Sequence, residues 1–256
     1  MEINNLEYYD LNAEKWWKSD ETLYLSNHLN NSRREFVTSF VPDWKGIKVL
    51  DIGCGGEGDC ESVAKLNAYV SGIDLSFNSI NIAQEHAKKS NLKIDYRWGV
   101  AENLPYKENS FDIVLCFDVL EHVDDWEKII SEAYRVLKKD GLFLFDTINR
   151  NLKSKFIIIW FLEDTLKYIP PGLHDWNKFI KPQEMIDVMK KTGFADYLIK
   201  GFDLTGGTNL KTLRNLVLKD FNNQIKGKKC SLFEIKINDD TSVCYIGKAV
   251  KLVDNN

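Results

Sequence analysis

Ile47-Lys-Val-Leu-Asp-Ile-Gly-Cys-Gly-Gly-Glu-Gly58 decides the reading of this chain. Ile47 to Ile52 is a short, mostly apolar run, the pattern of a strand buried on both faces. Glycines 53, 55, 56 and 58 follow at once. Glycine lets a backbone turn tightly and approach a ligand closely. Asp59 to Asn67 then reads as a helix, whose first free N–H groups would point at such a ligand. Gly53-x-Gly55-x-x-Gly58 also fits the dinucleotide fingerprint, so a nicotinamide-dependent oxidoreductase is one reading of the loop. Asp51, two residues before the first glycine, argues against it. A carboxylate there would repel a pyrophosphate and suit a ligand bearing an ammonium or sulfonium charge.

The pattern extends outward on the C-terminal side. Ala68–Asp74, Lys93–Trp98, Phe111–Cys116 and Leu142–Thr147 read as further strands, with helices at Phe77–Lys89 and Trp126–Lys138. Strands alternating with helices of this length signal a parallel α/β sheet covered on both faces. Ligands of such sheets bind beyond the carboxyl ends of the strands. Gly53–Gly58, Asp74, Ala101-Glu102 and Phe117–His122 each follow a predicted strand. Asp74 can accept hydrogen bonds from a ribose diol, and Ala101 and Glu102 can line an adenine. Asp74 also has a plain reading as part of a helix start.

The length of 256 residues is ample for a core without disulfides. With 34 Lys and Arg against 38 Asp and Glu, the chain lacks the basic footprint of a nucleic-acid binder. The five cysteines are dispersed, with no CxxC, which points to reduced thiols and a cytoplasmic setting. Met1 to Asn12 has no apolar signal segment.

Asp118, Glu121 and His122 stand at i, i+3 and i+4 and would share a face if that stretch were a helical turn. Two carboxylates and an imidazole suit a hard divalent ion, Mg²⁺. Metal-free alternatives stay open, with His122 or His174 as a base for a phenolic proton. Phe156–Leu162 is apolar on every side of a helix and flanked by Lys153, Lys155 and Lys167. It reads as a buried lid helix, as an interfacial patch peripheral to the inner face of a membrane, or as both.

Taken together, Leu50-Asp-Ile-Gly-Cys-Gly-Gly56, Gly72-Ile-Asp74, Ala101-Glu-Asn-Leu-Pro-Tyr106, Phe111-Asp-Ile-Val114 and Arg135-Val-Leu-Lys-Lys-Asp-Gly141 resemble class I S-adenosylmethionine-dependent methyltransferases. Trp16-Trp17, His28-x-x-Asn31-x-x-Arg34, Val119-Leu-Glu-His-Val123, Ile148-Asn-Arg150 and His174-Asp-Trp-x-x-Phe-Ile-Lys-Pro182 are similar to the polyprenyl-catechol O-methyltransferases of ubiquinone biosynthesis. That resemblance implies an α/β, Rossmann-like, seven-stranded and mostly parallel sheet flanked by helices. It also implies Arg34 on the methionine carboxylate, Gly53 on the ligand backbone, Asp74 on the ribose, Phe117 beside the adenosyl part, and Mg²⁺ near Asp118. Three positions depart from the family pattern: Lys18, Glu57 and Asp118.

The expected organisation is one domain: an N-terminal helical cap (1–45), a cofactor-binding core (46–148), a lid insertion (149–195) and C-terminal strands (196–256). The expected chemistry is O-methylation of a phenol or catechol, with Gly53, Gly55, Asp51 and Asp74 on the cofactor. A methyltransferase of another small molecule is the nearest alternative.

Overall fold

The computed structural model describes residues 4, 6–14, 24–55, 59–165, 167, 169–203 and 235–252. Trp16, Trp17, Lys18, Gly56, Glu57, Gly58 and Cys230 lie outside them, as does the side chain of His28. Five parallel strands form the centre: β1 (Lys48–Ile52), β2 (Tyr69–Asp74), β3 (Ile94–Trp98), β4 (Phe111–Cys116) and β5 (Leu137–Ile148). Three more, β6 (Phe194–Asp203), β7 (Lys236–Asn238) and β8 (Cys244–Lys251), complete the order 3-2-1-4-5-8-6-7.

The sheet therefore has eight strands among the described residues, not the expected seven. The addition is β7, three residues pairing antiparallel with Gly201–Asp203 at the outer edge. It is too short to show a period in sequence. β8 runs antiparallel to both β5 and β6, so β6 regains the direction of the central strands.

β1 lies between β2 and β4, which explains why its sequence is apolar at successive positions. Neighbouring residues of the strand feed opposite layers. Val49 joins a core with Phe36 and Val37 of α2 (Tyr24–Phe40) and Ile80 and Ala83 of α4 (Phe77–Lys89). Leu50 and Ile52 join a second core with Ile129, Ile130 and Ala133 of α5 (Trp126–Val136). Two short helices, α1 (Glu7–Leu11) and α3 (Asp59–Ala64), sit near the strand ends.

The stretch 149–195 contains two different structures. After a three-residue α6 (Leu152–Ser154), Lys155–Thr165 forms a π-helix. Its apolar residues split by face. Ile157, Ile158 and Leu162 are buried, while Phe156 and Trp160, like Leu152 of α6, stay exposed. Beyond it, α7 (Pro182–Thr192) starts on Pro182 and stops at Gly193, whose φ of +107° suits only glycine well. Met185 and Met189, four apart, insert α7 into the core beside α5. The segment before α7 covers the strand ends, whereas α7 covers the sheet face.

Met185→Ala and Met189→Ala should each cost about 2–5 kcal/mol in urea unfolding, because each leaves a cavity at a fully buried position. Exposed Lys191→Ala on the same helix should leave the midpoint unchanged.

Candidate active site

A cavity of about 630 Å³ opens at the carboxyl ends of β1, β2 and β4. Gly53, Gly55, Asp74, Ala101, Glu102 and Phe117 all line it, and so do Asp118, Glu121, His122 and His174. At one end the chain turns sharply out of β1. Gly53 has φ +70°, and a Cβ there would sit 2.1 Å from Val119 Cγ2. The N–H groups of Gly53 and Cys54 both donate to the Ile73 carbonyl, at 2.8 and 3.1 Å. The next turn is tied to Asp74: Gly55 N–H donates to its Oδ2 at 2.8 Å, and Ser76 N–H to its Oδ1 at 2.7 Å. Burial pushes the Asp74 carboxyl up while those two donors pull it back. A carboxylate offers about four acceptor positions, so two remain for a diol.

The helix α1 closes this end from above. Asp10 accepts from Ser76 Oγ at 2.6 Å and from Asn78 Nδ2 at 2.8 Å, and Tyr9 and Asn4 reach across to His122. Asn4 Nδ2 donates to the His122 carbonyl at 2.8 Å, so its Oδ1 must be what meets His122 Nδ1 at 3.0 Å. Nδ1 thus bears the ring proton, and Nε2 accepts from the Tyr9 hydroxyl at 3.2 Å. Burial holds the His122 imidazole well below its usual pKa, so it is neutral. Against its face, with centroids 5.0 Å apart, stacks His174. Nδ1 of His174 is hydrogen-bonded to the buried carboxylate of Glu163, a residue of the π-helix. Among the described residues Nε2 of His174 has no hydrogen-bond partner.

Two expected site residues sit elsewhere. Asp51 does not line the cavity. It lies buried under the glycine turn, where it accepts from the Cys60 thiol at 3.3 Å. Burial, reinforced by Asp59, pushes its carboxyl up to about 8. Arg34 is exposed, with its guanidinium on the Asn30 carbonyl and Asn31 Oδ1 of its own helix. The buried residue is its neighbour, Arg33. Its Nε meets Asp146 Oδ2 and its Nη2 meets Asp118 Oδ2, both at 2.6 Å, and the guanidinium lies over the Phe117 ring. Helical phase alone could have found it: Leu29, Phe36 and Val37 stand at −4, +3 and +4 from Arg33 and are all buried.

The expected metal face does not form. Asp118 takes a left-handed backbone, φ +52°, and the residues to His122 make a turn rather than a helix. The carboxylate of Asp118 is held by Arg33, that of Glu121 accepts the Thr147 hydroxyl at 2.9 Å, and both ring nitrogens of His122 are bound. Among the described residues no three His, Cys, Asp or Glu side chains come together as a metal set. With their donors already committed to protein partners, these residues do not fit Mg²⁺.

Residues 50–145 match the family model described as a methyltransferase domain. A ubiquinone biosynthesis O-methyltransferase from Pelagibacter ubique is 36% identical over 256 residues, spanning 96% of each chain. One from Bartonella quintana is 34% identical over 207 residues, covering 76% of this chain and 83% of its own. The chain belongs to the ubiquinone biosynthesis O-methyltransferase family.

It is an S-adenosylmethionine-dependent methyltransferase, and the oxidoreductase reading of the glycine loop falls with that membership. A methyltransferase structure from Thermotoga maritima shares the fold, with a TM-score of 0.63 at 20% identity and coverage of 96% and 98%. The residues present fit the family's cofactor. The turn at Gly53 leaves room for no side chain, Asp74 keeps free acceptor positions beside it, and Phe117 offers a ring to the same cavity. Among the described residues, no helix is long and apolar enough to cross a membrane.

Arg33→Ala would strand two carboxylates at the end of β5 and the loop after β4. A loss of about 3–5 kcal/mol is expected in urea unfolding, against no shift for Arg34→Ala. Asp51 gives a pH test. Its folded pKa lies above the unfolded 3.8, so the folded state holds the extra proton and loses stability as pH rises from about 4 to 8. Asp51→Asn lacks that loss. Its melting temperature should gain steadily on wild type from pH 5 to 8 and hold a constant lead above pH 8.

Proposed function

We propose that this enzyme methylates a hydroxyl oxygen of a catechol, and that its acceptor is a polyprenyl catechol of ubiquinone biosynthesis. One observation carries the reading: a single cavity joins the Gly53–Asp74 turn to the pair of stacked imidazoles. The name borne by the relatives supports the acceptor class. Another small phenol would meet the same groups, and an acceptor panel separates the two.

Bound S-adenosylmethionine would supply a methyl group already activated by a sulfonium charge. The chain must then align an oxygen, exclude water and take up a proton. Asp74 and the backbone at Gly53 and Gly55 would hold the cofactor, with Phe117, Ala101 and Glu102 along its nucleoside end. Asn4, Tyr9 and Asp10 close the cavity against water. His174 is the proton acceptor we assign. The acceptor hydroxyl gives its proton to Nε2 as its oxygen becomes the nucleophile. His122 has both nitrogens spent on Asn4 and Tyr9, so it acts as a neutral wall behind His174 rather than as a base.

The exposed side of the π-helix supports peripheral contact with a membrane. Leu152 of α6 and Phe156 and Trp160 of the π-helix stand four apart and 77%, 42% and 52% exposed, while Ile158 on the opposite side lines the cavity. A polyprenyl tail could pass from such a surface to the acceptor end. Phe156→Ser with Trp160→Ser should reduce flotation with anionic liposomes without lowering the melting temperature. Flotation equal to wild type would exclude this surface. Ile158 is buried, so substitution there would test packing instead.

The reading is tested with a prenylated catechol and labelled S-adenosylmethionine. His174→Ala should lower kcat about 100-fold or more, the scale of general-base catalysis, with S-adenosylhomocysteine affinity unchanged by calorimetry. Activity should persist in excess EDTA. Loss of activity in EDTA restored by Mg²⁺, or full activity of His174→Ala, would overturn the assignment.

A further inference from the structure

We propose that Glu163 is the positioning residue that makes His174 a base: it fixes the imidazole with Nε2 unprotonated toward the cavity and holds the imidazolium once the proton arrives. This rests on the function proposed above and extends it to a residue outside the cavity lining.

Glu163 is fully buried in the π-helix, and its two oxygens have separate partners. Oε1 meets His174 Nδ1, and Oε2 accepts from Gly172 N–H at 3.1 Å. Among the described residues its ion-pair partner is His174 and no lysine or arginine. A buried carboxylate without a cation is costly. A neutral amide would serve as well to cap the Gly172 loop. The charge gains a use when the ring becomes positive, which is the moment of proton uptake. The carboxylate also dictates the tautomer. Nδ1 must carry the proton to donate to Glu163, which leaves the lone pair on Nε2, the nitrogen with no other partner.

The surroundings agree with a ring that changes charge. On one face lies His122, kept neutral by burial. Phe179 lies edge-on at 6.0 Å. The Lys178 ammonium is directed at the His122 carbonyl and at Asp124. Asp118 and Glu121 share the cavity but are bound to Arg33 and Thr147. Glu163 is therefore the carboxylate in direct contact with His174. The contact joins the π-helix to the loop that follows it, and Gly172 O accepts from Asn4 N–H at 2.9 Å. The base is complete when the π-helix, this loop and the N-terminal segment are all closed.

The test compares wild type, Glu163→Gln, Glu163→Asp and His174→Ala as full-length enzymes, with a prenylated catechol as acceptor. For Glu163→Gln, kcat should fall 10- to 100-fold. Acceptor KM and S-adenosylhomocysteine affinity should stay within about twofold. The acid limb of the kcat profile should move to lower pH, because the lost negative charge no longer stabilises the imidazolium. Glu163→Asp should recover part of the rate. An unmoved acid limb with kcat within twofold of wild type would overturn the proposal. If His174→Ala is inactive in that case, the base survives and only the role of Glu163 falls. If His174→Ala is fully active, the proposed function falls with it. Should Glu163→Gln not fold, ¹⁵N NMR of wild type decides: His174 protonated on Nδ1 supports the proposal, and protonation on Nε2 overturns it.

Discussion

One buried guanidinium organises the catalytic end of this fold. Arg33, 1% exposed, reaches from α2 to Asp146 in β5 and to Asp118 just beyond β4. Asp146 is buried in β5, and burial pushes its carboxyl up to about 7 even beside the guanidinium. The ion pairs also fix a backbone. Asp118 N–H donates to Asp146 Oδ1 at 2.8 Å, and Asp118 accepts a left-handed conformation that leads into the turn carrying Val119, Glu121 and His122. Val119 then packs so close to Gly53 that only a hydrogen fits between them. The glycine turn and the histidine turn are therefore two sides of one arrangement, held from beneath by Arg33.

Above it, the cavity is roofed by a short helix, a loop and the π-helix. α1 bridges Ser76 and His122, the loop before Asp175 bridges Asn4 and Glu163, and the π-helix supplies Glu163. A π-turn widens the helix and shifts later side chains out of α-helical phase, a distortion often found at functional positions. Here it accompanies a split in which Glu163 and Leu162 turn inward while Trp160 stays outside. The site thus has a rigid floor of strand ends and a roof assembled from hydrogen bonds.

The sequence was most readable where one local rule acts alone. The helix Phe77–Lys89 and the strand Phe111–Cys116 have the bounds that their periodicity predicts. Gly53 and Asp74 line the cavity because the ends of neighbouring parallel strands open onto one crevice, which their places after β1 and in β2 predict. Positions decided by distant partners were harder. Arg33 and Arg34 are adjacent and identical in type, and only helical phase against Leu29, Phe36 and Val37 separates them. Glu163 stands one residue past the apolar run Phe156–Leu162, and its partner is eleven residues on, in a loop. The i, i+3, i+4 argument for a metal failed because it presumed a helix, whereas Asp118, of a residue type that tolerates positive φ, starts a turn.

The central claim is that cofactor and acceptor meet in one cavity, with the acceptor oxygen at His174 Nε2. A crystal structure with S-adenosylhomocysteine and a prenylated catechol tests it most directly. The account predicts the ribose on Asp74, the homocysteine part along Gly53, and one catechol oxygen within hydrogen-bonding distance of His174 Nε2, with no metal between them. A catechol bound through a cation at Asp118 and Glu121, or seated away from both imidazoles, would contradict it.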